Sequence, residues 1–359
     1  MARPHLLQIL DANLNRLREG IRASEDVLRY TDGAAGVFAR LKQLRLRAGS
    51  LETELRARLG RELIHARRLS GDLGKELTLP GELERNGPAG MLVANLNRAQ
   101  EAARTIEEVV KLLPLPGYPG RYKRLRFALY RAESGGRLLL SRLAKERLLT
   151  DALRAFPLYL VVDQVNTVQQ QPAELVARYY RAGGRVAQLR MKHLSCRRLY
   201  RLACQLRGDY GDLLLIINDR LDVALAADAD GVHFGASDLP LTVPAKLQGD
   251  LLVGCSAGTP KSARRAVQAG ASYVGVGAVF PTTTKSHMRV VGVEGLRAVA
   301  AAVPSPVIAI GGIKRHNFAQ VMRAGAAGFA AISALSRPQD AARFYGAVRK
   351  WARHHDTRH

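Results

Sequence analysis

The sequence predicts an α/β protein in two parts. A (β/α)8 barrel occupies residues 153–359, and an all-α helical domain with an internal duplication precedes it over residues 1–148. Three observations carry that prediction. The chain changes character near residue 150, from apolar residues at helical spacing to short apolar runs alternating with amphipathic stretches. Eight such runs follow one another, each with room for a helix behind it. The first part, finally, repeats itself at an offset of 82 residues.

Ahead of residue 150, Leu14, Leu17, Ile21, Val27 and Leu28 recur at helical spacing and β-branched runs are scarce. Residues 12–27, ANLNRLREGIRASEDV, return at 94–109 as ANLNRAQEAARTIEEV. The match holds at Asn13/Asn95, Asn15/Asn97, Arg16/Arg98, Glu19/Glu101, Arg22/Arg104 and Glu25/Glu107. A second match follows each copy, RLKQLR at 40–45 and RLRFAL at 124–129. The unit is therefore a long helix plus a following helix, and using it twice predicts a small bundle with pseudo-two-fold symmetry. Between the copies, the Gly-, Pro- and charge-rich stretch 70–90 reads as a long loop. Asn15, Glu19, Arg22 and Asp26 share one helix face, and Asn97, Glu101, Arg104 and Glu108 repeat it. Facing polar stripes would line a charged pocket. The alternative is an ion-paired seam that only holds the bundle, or a homo-oligomer, together. Residues Lys145–Leu153 lead into the second part.

The strand candidates come in order: 158–162 (LYLVV), 186–191 (VAQLRM), 213–218 (LLLIIN), 231–235 (GVHFG), 251–255 (LLVGC), 273–277 (YVGVG), 306–310 (PVIAI) and 328–333 (GFAAIS). Helical stretches such as AELVARYYRAG and PKSARRAVQAGA fill the gaps. A doubly wound open sheet is the runner-up, since periodicity alone does not prove closure; similar spacing and the lack of a G-x-G-x-x-G opening favour the barrel. In a barrel, chemistry sits at the C-terminal strand ends. At the second strand, Gln188, Arg190 and Lys192 alternate onto one face, and two cations inside a barrel call for an anion. The third strand ends Asn218-Asp219, and the loop after the fourth supplies Asp238; two carboxylates at neighbouring strand ends suit one Mg²⁺. Asp222, Asp228 and Asp230 read as surface or turn residues, and His233 as a barrel-layer residue bonded to a neighbour. Ser256 closes the fifth strand, while Cys255 reads as a small buried apolar residue. After the sixth strand, Thr282, Thr283, Thr284 and Lys285 offer hydroxyls and an ammonium over the mouth. Gly311-Gly312 and Ile332-Ser333 follow the seventh and eighth strands, where barrels usually bind phosphate through backbone N–H groups.

Composition narrows the class. A hydrophobic fraction of 47% in 359 residues rules out a disordered chain. No apolar run reaches the roughly 18 residues of a membrane span and no long apolar h-region opens the chain, so a cytoplasmic protein is expected. Cys196, Cys204 and Cys255 form no C-x-x-C pair, so neither a disulfide framework nor a zinc site is indicated. The net charge of +24 admits nucleic-acid binding, attraction of small phosphorylated molecules, or merely solvated arginine-rich helix faces. The basic residues are spread through both halves, without an RNP, KH, helix-turn-helix or zinc-knuckle pattern, so specific nucleic-acid binding is not expected.

The order of motifs resembles that of the thiamine-phosphate synthases (thiamine-phosphate pyrophosphorylases). The matching segments are QLRMK (188–192), NDRLDVALAADADGVHFGASDL (218–239), GCS (254–256), YVGVGAVFPTTTK (273–285), AIGGI (309–313) and AISA (331–334). The resemblance implies a TIM barrel that condenses 4-amino-5-hydroxymethyl-2-methylpyrimidine diphosphate with 4-methyl-5-(2-phosphoethyl)-thiazole. Thiamine phosphate and diphosphate are released by a dissociative route. It implies Mg²⁺ on Asp219 and Asp238. It implies a pyrimidine diphosphate site of Gln188, Arg190, Lys192, Asn218, Ser256 and Lys285, with Arg190, Ser256 and Lys285 acting on the leaving group. It implies a thiazole-phosphate site of Thr282, Thr284, Gly312, Ile332 and Ser333. Two positions depart from the pattern: Ala236 stands where Gln is frequent in GQ-x-D, and Ala278 where Pro is usual. The duplicated domain resembles one fused ahead of some of these synthases and associated with hydroxymethylpyrimidine phosphate kinase activity, although no P-loop or kinase glycine loop is present. The reading from another class is a basic polyanion-binding protein on a decayed barrel.

Overall fold

The computed structural model describes residues 3–66, 87–235, 249–282 and 290–355. By contacts the chain divides into two compact units, Met1–Ser141 and Arg142–His359.

The first unit contains α1 (Arg3–Arg29), α2 (Ala35–Leu59), the short α3 (Arg61–His65), α4 (Gly87–Val109) and the first part of α5 (Tyr118–Ala155). The two copies of the duplicated segment lie on α1 and α4, which pack against each other. Leu10, Leu14, Leu17 and Ile21 are buried on α1, and Leu92, Leu96, Ala99 and Ile106 on α4. The helices cross closely at Gly20, where a Cβ would stand 2.6 Å from the Asn95 carbonyl oxygen. The duplication extends to hydrogen bonds. Asn13 Nδ2 donates to the Ile9 carbonyl and Asn95 Nδ2 to the Met91 carbonyl, both at 2.8 Å. Glu25 and Glu107 are buried at equivalent positions, and each meets an arginine from the helix that follows, Arg45 and Arg126. A buried carboxylate needs such a partner, because desolvating an unpaired charge costs several kcal/mol, of order 3–5 when a pair is broken.

One expectation changes here. Of the stretch 70–90 expected as a loop, residues 87–90 are helical, since α4 begins at Gly87, and residues 70–86 lie outside the described residues. Residues 145–153, which lead into the second part, lie inside α5.

In the second unit the strands are β1 (Leu158–Asp163), β2 (Val186–Arg190), β3 (Leu214–Asn218), β4 (Gly231–Phe234), β5 (Leu252–Ser256), β6 (Tyr273–Val276), β7 (Val307–Ile310) and β8 (Gly328–Ala331). Between and after them run α6 (Pro172–Arg181), α7 (Cys196–Asp209), α8 (Leu221–Ala226), α9 (Pro260–Gln268), α10 (Gly292–Ala300), α11 (Phe318–Arg323) and α12 (Pro338–His355). All strand pairs are parallel and the sheet closes, β1 pairing with β8 through Leu158↔Phe329 and Leu160↔Ala331. Closure excludes the open-sheet alternative.

Strand residues of one parity, including Leu160, Ala187, Leu215, Val232 and Val274, join the helices in an outer core. The other parity, including Tyr159, Val186, Ile216, Leu252, Tyr273 and Ile308, fills the barrel and packs with Leu149 and Leu153 of α5. That leaves the opposite, C-terminal end of the strands open for polar side chains. Asp230, expected at a surface or turn, is instead buried. It accepts hydrogen bonds from Leu215 N and Arg207 Nη1, both at 2.9 Å, and burial raises its carboxyl above the ordinary value. Asp222 is exposed and paired with Arg220, and Asp228 sits in a turn at φ 50°. Among the described residues, no helix is long and apolar enough to cross a membrane.

Candidate active site

A cavity of about 580 Å³ occupies the C-terminal mouth of the barrel. Gln188, Arg190, Lys192, Asn218, Asp219, Ser256, Thr282, Gly312, Ile332 and Ser333 all line it. Residues as far apart in sequence as Gln188 and Ser333 thus converge because each lies towards the end of a strand or opens the loop behind one. Asp238, Thr284 and Lys285 lie outside the described residues.

The cations do not stand alone. β1 and β2 pair in a register that sets Asp163 beside Arg190, and the two side chains form an ion pair. Asp163 is 2% exposed and built into a tight turn: its Oδ1 accepts from Val165 N at 3.0 Å, and its own N–H donates to Asn166 Oδ1 at 2.8 Å. Sequence reasoning missed this residue. The available signal was its parity, since Tyr159, Val161 and Asp163 alternate onto the inward face. Lys192 Nζ lies 2.8 Å from Asp219 Oδ2.

Asp219 adopts a left-handed backbone at φ 62°, which aspartate and asparagine tolerate better than other non-glycine residues. Its N–H donates to the His233 carbonyl at 2.9 Å, fixing the turn that carries the carboxylate to the cavity wall. Among the described residues, no group of three or more His, Cys, Asp or Glu gathers as a metal cage. Mg²⁺ does not require one. It keeps several waters and is held by one or two carboxylates together with substrate phosphates, and Asp219 fits that donor set.

Hydroxyls and amides form the remaining wall. Gln188 Nε2 donates to Asn218 Oδ1 at 3.5 Å. Below, a chain of side chains crosses the barrel: Tyr159 Oη to Tyr273 Oη at 2.7 Å, Tyr273 Oη to His233 Nδ1 at 3.2 Å, and His233 Nε2 to Ser256 Oγ at 3.0 Å. Burial drives both phenols well above the ordinary tyrosine value, so they stay protonated. His233 is thus a layer residue bonded to its neighbours, and its partner Ser256 faces the cavity. Gly254 makes room for this cluster; a Cβ there would lie 2.2 Å from the Tyr273 ring and 2.4 Å from His233 Nδ1. Cys255 points the other way, into the outer core, where burial pushes its thiol up to about 11. A thiol so raised is a poor nucleophile at neutral pH.

A backbone-rich wall follows β7 and β8. Gly311 and Gly312 take φ 99° and 64°, and a Cβ at Gly312 would meet the Pro281 carbonyl oxygen at 2.5 Å. Buried Asn317 ties the loop together: its Nδ2 donates to the Gly312 carbonyl at 3.1 Å and its Oδ1 accepts from Lys314 N at 2.7 Å. This asparagine also escaped the sequence reading. Ser333 opens a single 3-10 turn, Ser333–Leu335.

The polar stripes of the helical unit behave differently. Glu19, Arg22, Asn97, Glu101 and Arg104 are exposed and Asn15 is half-buried. Arg18 donates to Asn15 at 3.1 Å, while Arg104 pairs with Glu107 and Glu108 on its own helix. The two stripes are therefore largely open to solvent, away from the buried faces of α1 and α4. The reason is helical phase: Leu10, Leu14, Leu17 and Ile21 set the inward face, and Glu25, not Glu19, falls on it.

Comparison with known proteins follows the same division. A family model for thiamine monophosphate synthase matches residues 158–335, and one for the ThiD2 family matches residues 8–135. A thiamine-phosphate synthase of Gloeobacter violaceus is 38% identical over 345 residues, which is 94% of this chain and 94% of the relative. One from Chloroflexus aurantiacus is 42% identical over 186 residues, 51% of this chain and 86% of the relative. The solved thiamine phosphate pyrophosphorylase of Pyrococcus furiosus is 36% identical with a TM-score of 0.50, covering 56% of this chain and 98% of that one.

Proposed function

The chain belongs to the thiamine-phosphate synthase family, and from that premise we propose how its barrel residues share the work of the condensation. The reaction joins the pyrimidine diphosphate to the thiazole phosphate and yields thiamine phosphate and diphosphate. The bond from the pyrimidine methylene carbon to the diphosphate oxygen breaks, and its electron pair leaves with the diphosphate. The thiazole nitrogen lone pair then forms the new C–N bond. No proton leaves the reacting carbon, so the site needs charge management rather than a strong base.

Arg190, Lys192 and Lys285 offset the charge growing on the leaving diphosphate, and the Ser256 hydroxyl donates to one of its oxygens. Gln188 and Asn218 orient the pyrimidine diphosphate through their amides. Backbone groups of Gly312, Ile332 and Ser333, with the Thr282 and Thr284 hydroxyls, grip the thiazole phosphate and aim its nitrogen. Asp219 and Asp238 would hold Mg²⁺, which supplies further positive charge to the leaving oxygens when bound. The observation that supports this reading is the convergence of the ten described residues on one cavity, with each described cation already facing a carboxylate. Purified protein given both substrates and Mg²⁺ is expected to form thiamine phosphate. Wild-type turnover by an Asp219→Asn/Asp238→Asn chain would refute the metal assignment.

For the helical unit, we infer phosphorylation of the pyrimidine monophosphate to the diphosphate that the barrel consumes. A nucleoside triphosphate would donate its terminal phosphoryl group and leave as the diphosphate. Its match to the ThiD2 family model supports this reading, and the duplicated polar residues Asn15, Glu19, Arg22, Asn97, Glu101 and Arg104 are the candidates to carry it. The test gives ATP and the pyrimidine monophosphate to the full chain bearing Asp219→Asn and Asp238→Asn, so that diphosphate accumulates. No product from folded protein would leave the unit an assembly role, holding copies of the chain together.

A further inference from the structure

A second concavity of about 370 Å³ adjoins the mouth of the barrel and shares Ser333 with the first. Lys314, Arg315, His316, Arg337, Asp340 and Arg343 line it over a floor that includes Phe344. Its charge is one-sided. Asp340 lies 4.0 Å from Arg343, three residues along α12. Among the described residues, no carboxylate stands within ion-pair distance of Lys314, Arg315 or Arg337. Cations that repel one another are easily dispersed over a surface; gathered in a concavity, they focus a positive potential on whatever enters.

The backbone that carries these exposed side chains is fixed. Lys314 and Arg315 follow Gly312 after Ile313, and buried Asn317 clamps that loop through Lys314 N and the Gly312 carbonyl. Arg337 is held from the other side, where its carbonyl accepts from Ala341 N at the start of α12. Guanidinium forks and a lysine ammonium are the groups that match phosphate oxygens, and the volume suits a small phosphorylated molecule.

We propose that this concavity is an outer anion site that takes the phosphate or diphosphate group of a small molecule at the rim of the catalytic cavity. It stands on its own geometry; only its position next to the inner phosphate grip rests on the reading of Ser333 given above.

The test uses the full chain carrying Arg190→Gln and Lys192→Gln, in chelator, which weakens diphosphate binding in the inner cavity. The thiazole-phosphate grip there is left intact, so the outer site is read as the binding that is lost when its own cations are replaced. Equilibrium dialysis is run with inorganic diphosphate in one arm and the thiazole phosphate ester in the other. Saturable binding is expected at low salt. It should weaken about tenfold when Lys314, Arg315 and Arg337 become Gln, and weaken again as salt screens the cluster. Tighter binding of diphosphate assigns the site to the departing product, and tighter binding of the ester to the arriving substrate. No saturable binding at millimolar probe, or binding indifferent to the three substitutions, overturns the proposal. In the otherwise wild-type chain the same three substitutions should leave turnover at saturating substrate unchanged. Lack of turnover before they are introduced would fault the reading of the inner cavity, not of the outer site.

Discussion

Replacing Asp219 separates the chemistry of the barrel mouth from its stability. Its ion pair with Lys192 is loose: the lysine side chain is 54% exposed and the aspartate 23%. Exposed pairs of this kind contribute under about 1 kcal/mol. Asparagine also accepts the left-handed backbone at φ 62°, so Asp219→Asn should cost less than about 1 kcal/mol, or some 2–4 °C in Tm. Alanine loses the same pair and adds about 1–2 kcal/mol of backbone strain. Turnover should respond in the opposite proportion. Asn removes a full negative charge from the proposed Mg²⁺ site, and kcat should fall by about 10²–10³, with more Mg²⁺ needed for half-maximal rate. The assay is a Mg²⁺ titration of thiamine phosphate formation beside thermal denaturation of wild type, Asn and Ala chains. An Asn variant with wild-type rate and Mg²⁺ dependence sinks the metal assignment. Equal losses of stability in Asn and Ala would refute the backbone argument.

Three further outcomes are expected. Gly254→Ala drives a Cβ to 2.2 Å from the Tyr273 ring and should destabilise the barrel by about 1–3 kcal/mol in urea denaturation; an unchanged midpoint would mean that the aromatic cluster yields freely. Gly312→Ala combines φ 64° with a 2.5 Å approach to the Pro281 carbonyl oxygen, so KM for the thiazole phosphate should rise about tenfold while KM for the pyrimidine diphosphate moves little. Cys255, with its thiol pushed up to about 11, holds only about 0.1% thiolate at pH 8, whereas Cys196 is exposed. Iodoacetamide at pH 8 should therefore modify Cys196 and spare Cys255 until the protein is unfolded, and equal rates in the folded protein would contradict the burial argument.

How far the fold could be read from the residues differs between the units. Barrel strands are buried on both faces, so each appears as a short apolar run, and the run's end locates the functional position without any three-dimensional information. Gln188, Arg190, Asn218, Asp219 and Ser256 were legible for that reason. For Asp163 the parity of β1 gave only its inward direction; its pairing with Arg190 comes from the β1–β2 register, a long-range contact that local pattern does not encode. Asp230 misled in the same way: an aspartate ahead of a strand looks like a turn residue until a backbone N–H and Arg207 are found to bury it. In the helical unit the duplication revealed which residues recur but not which of them turn inward. Glu25 and Glu107 were among the repeated positions and turn inward, whereas the stripe through Glu19 and Glu101, which drew the functional reading, is exposed.

The pairing of Arg190 with Asp163 and of Lys192 with Asp219 has a consequence for a protein this basic. Without substrate, the mouth works as a loaded ion exchanger: each described cation already carries a counter-ion supplied by the chain itself. A stray anion gains little by entering, since it must displace a carboxylate held in place by the fold. On the reading proposed above, a ligand that brings several phosphate oxygens and its own divalent cation would make both exchanges at once, its metal taking up Asp219 as its phosphates take up Lys192. Selectivity then resides in what must be displaced as much as in what is touched.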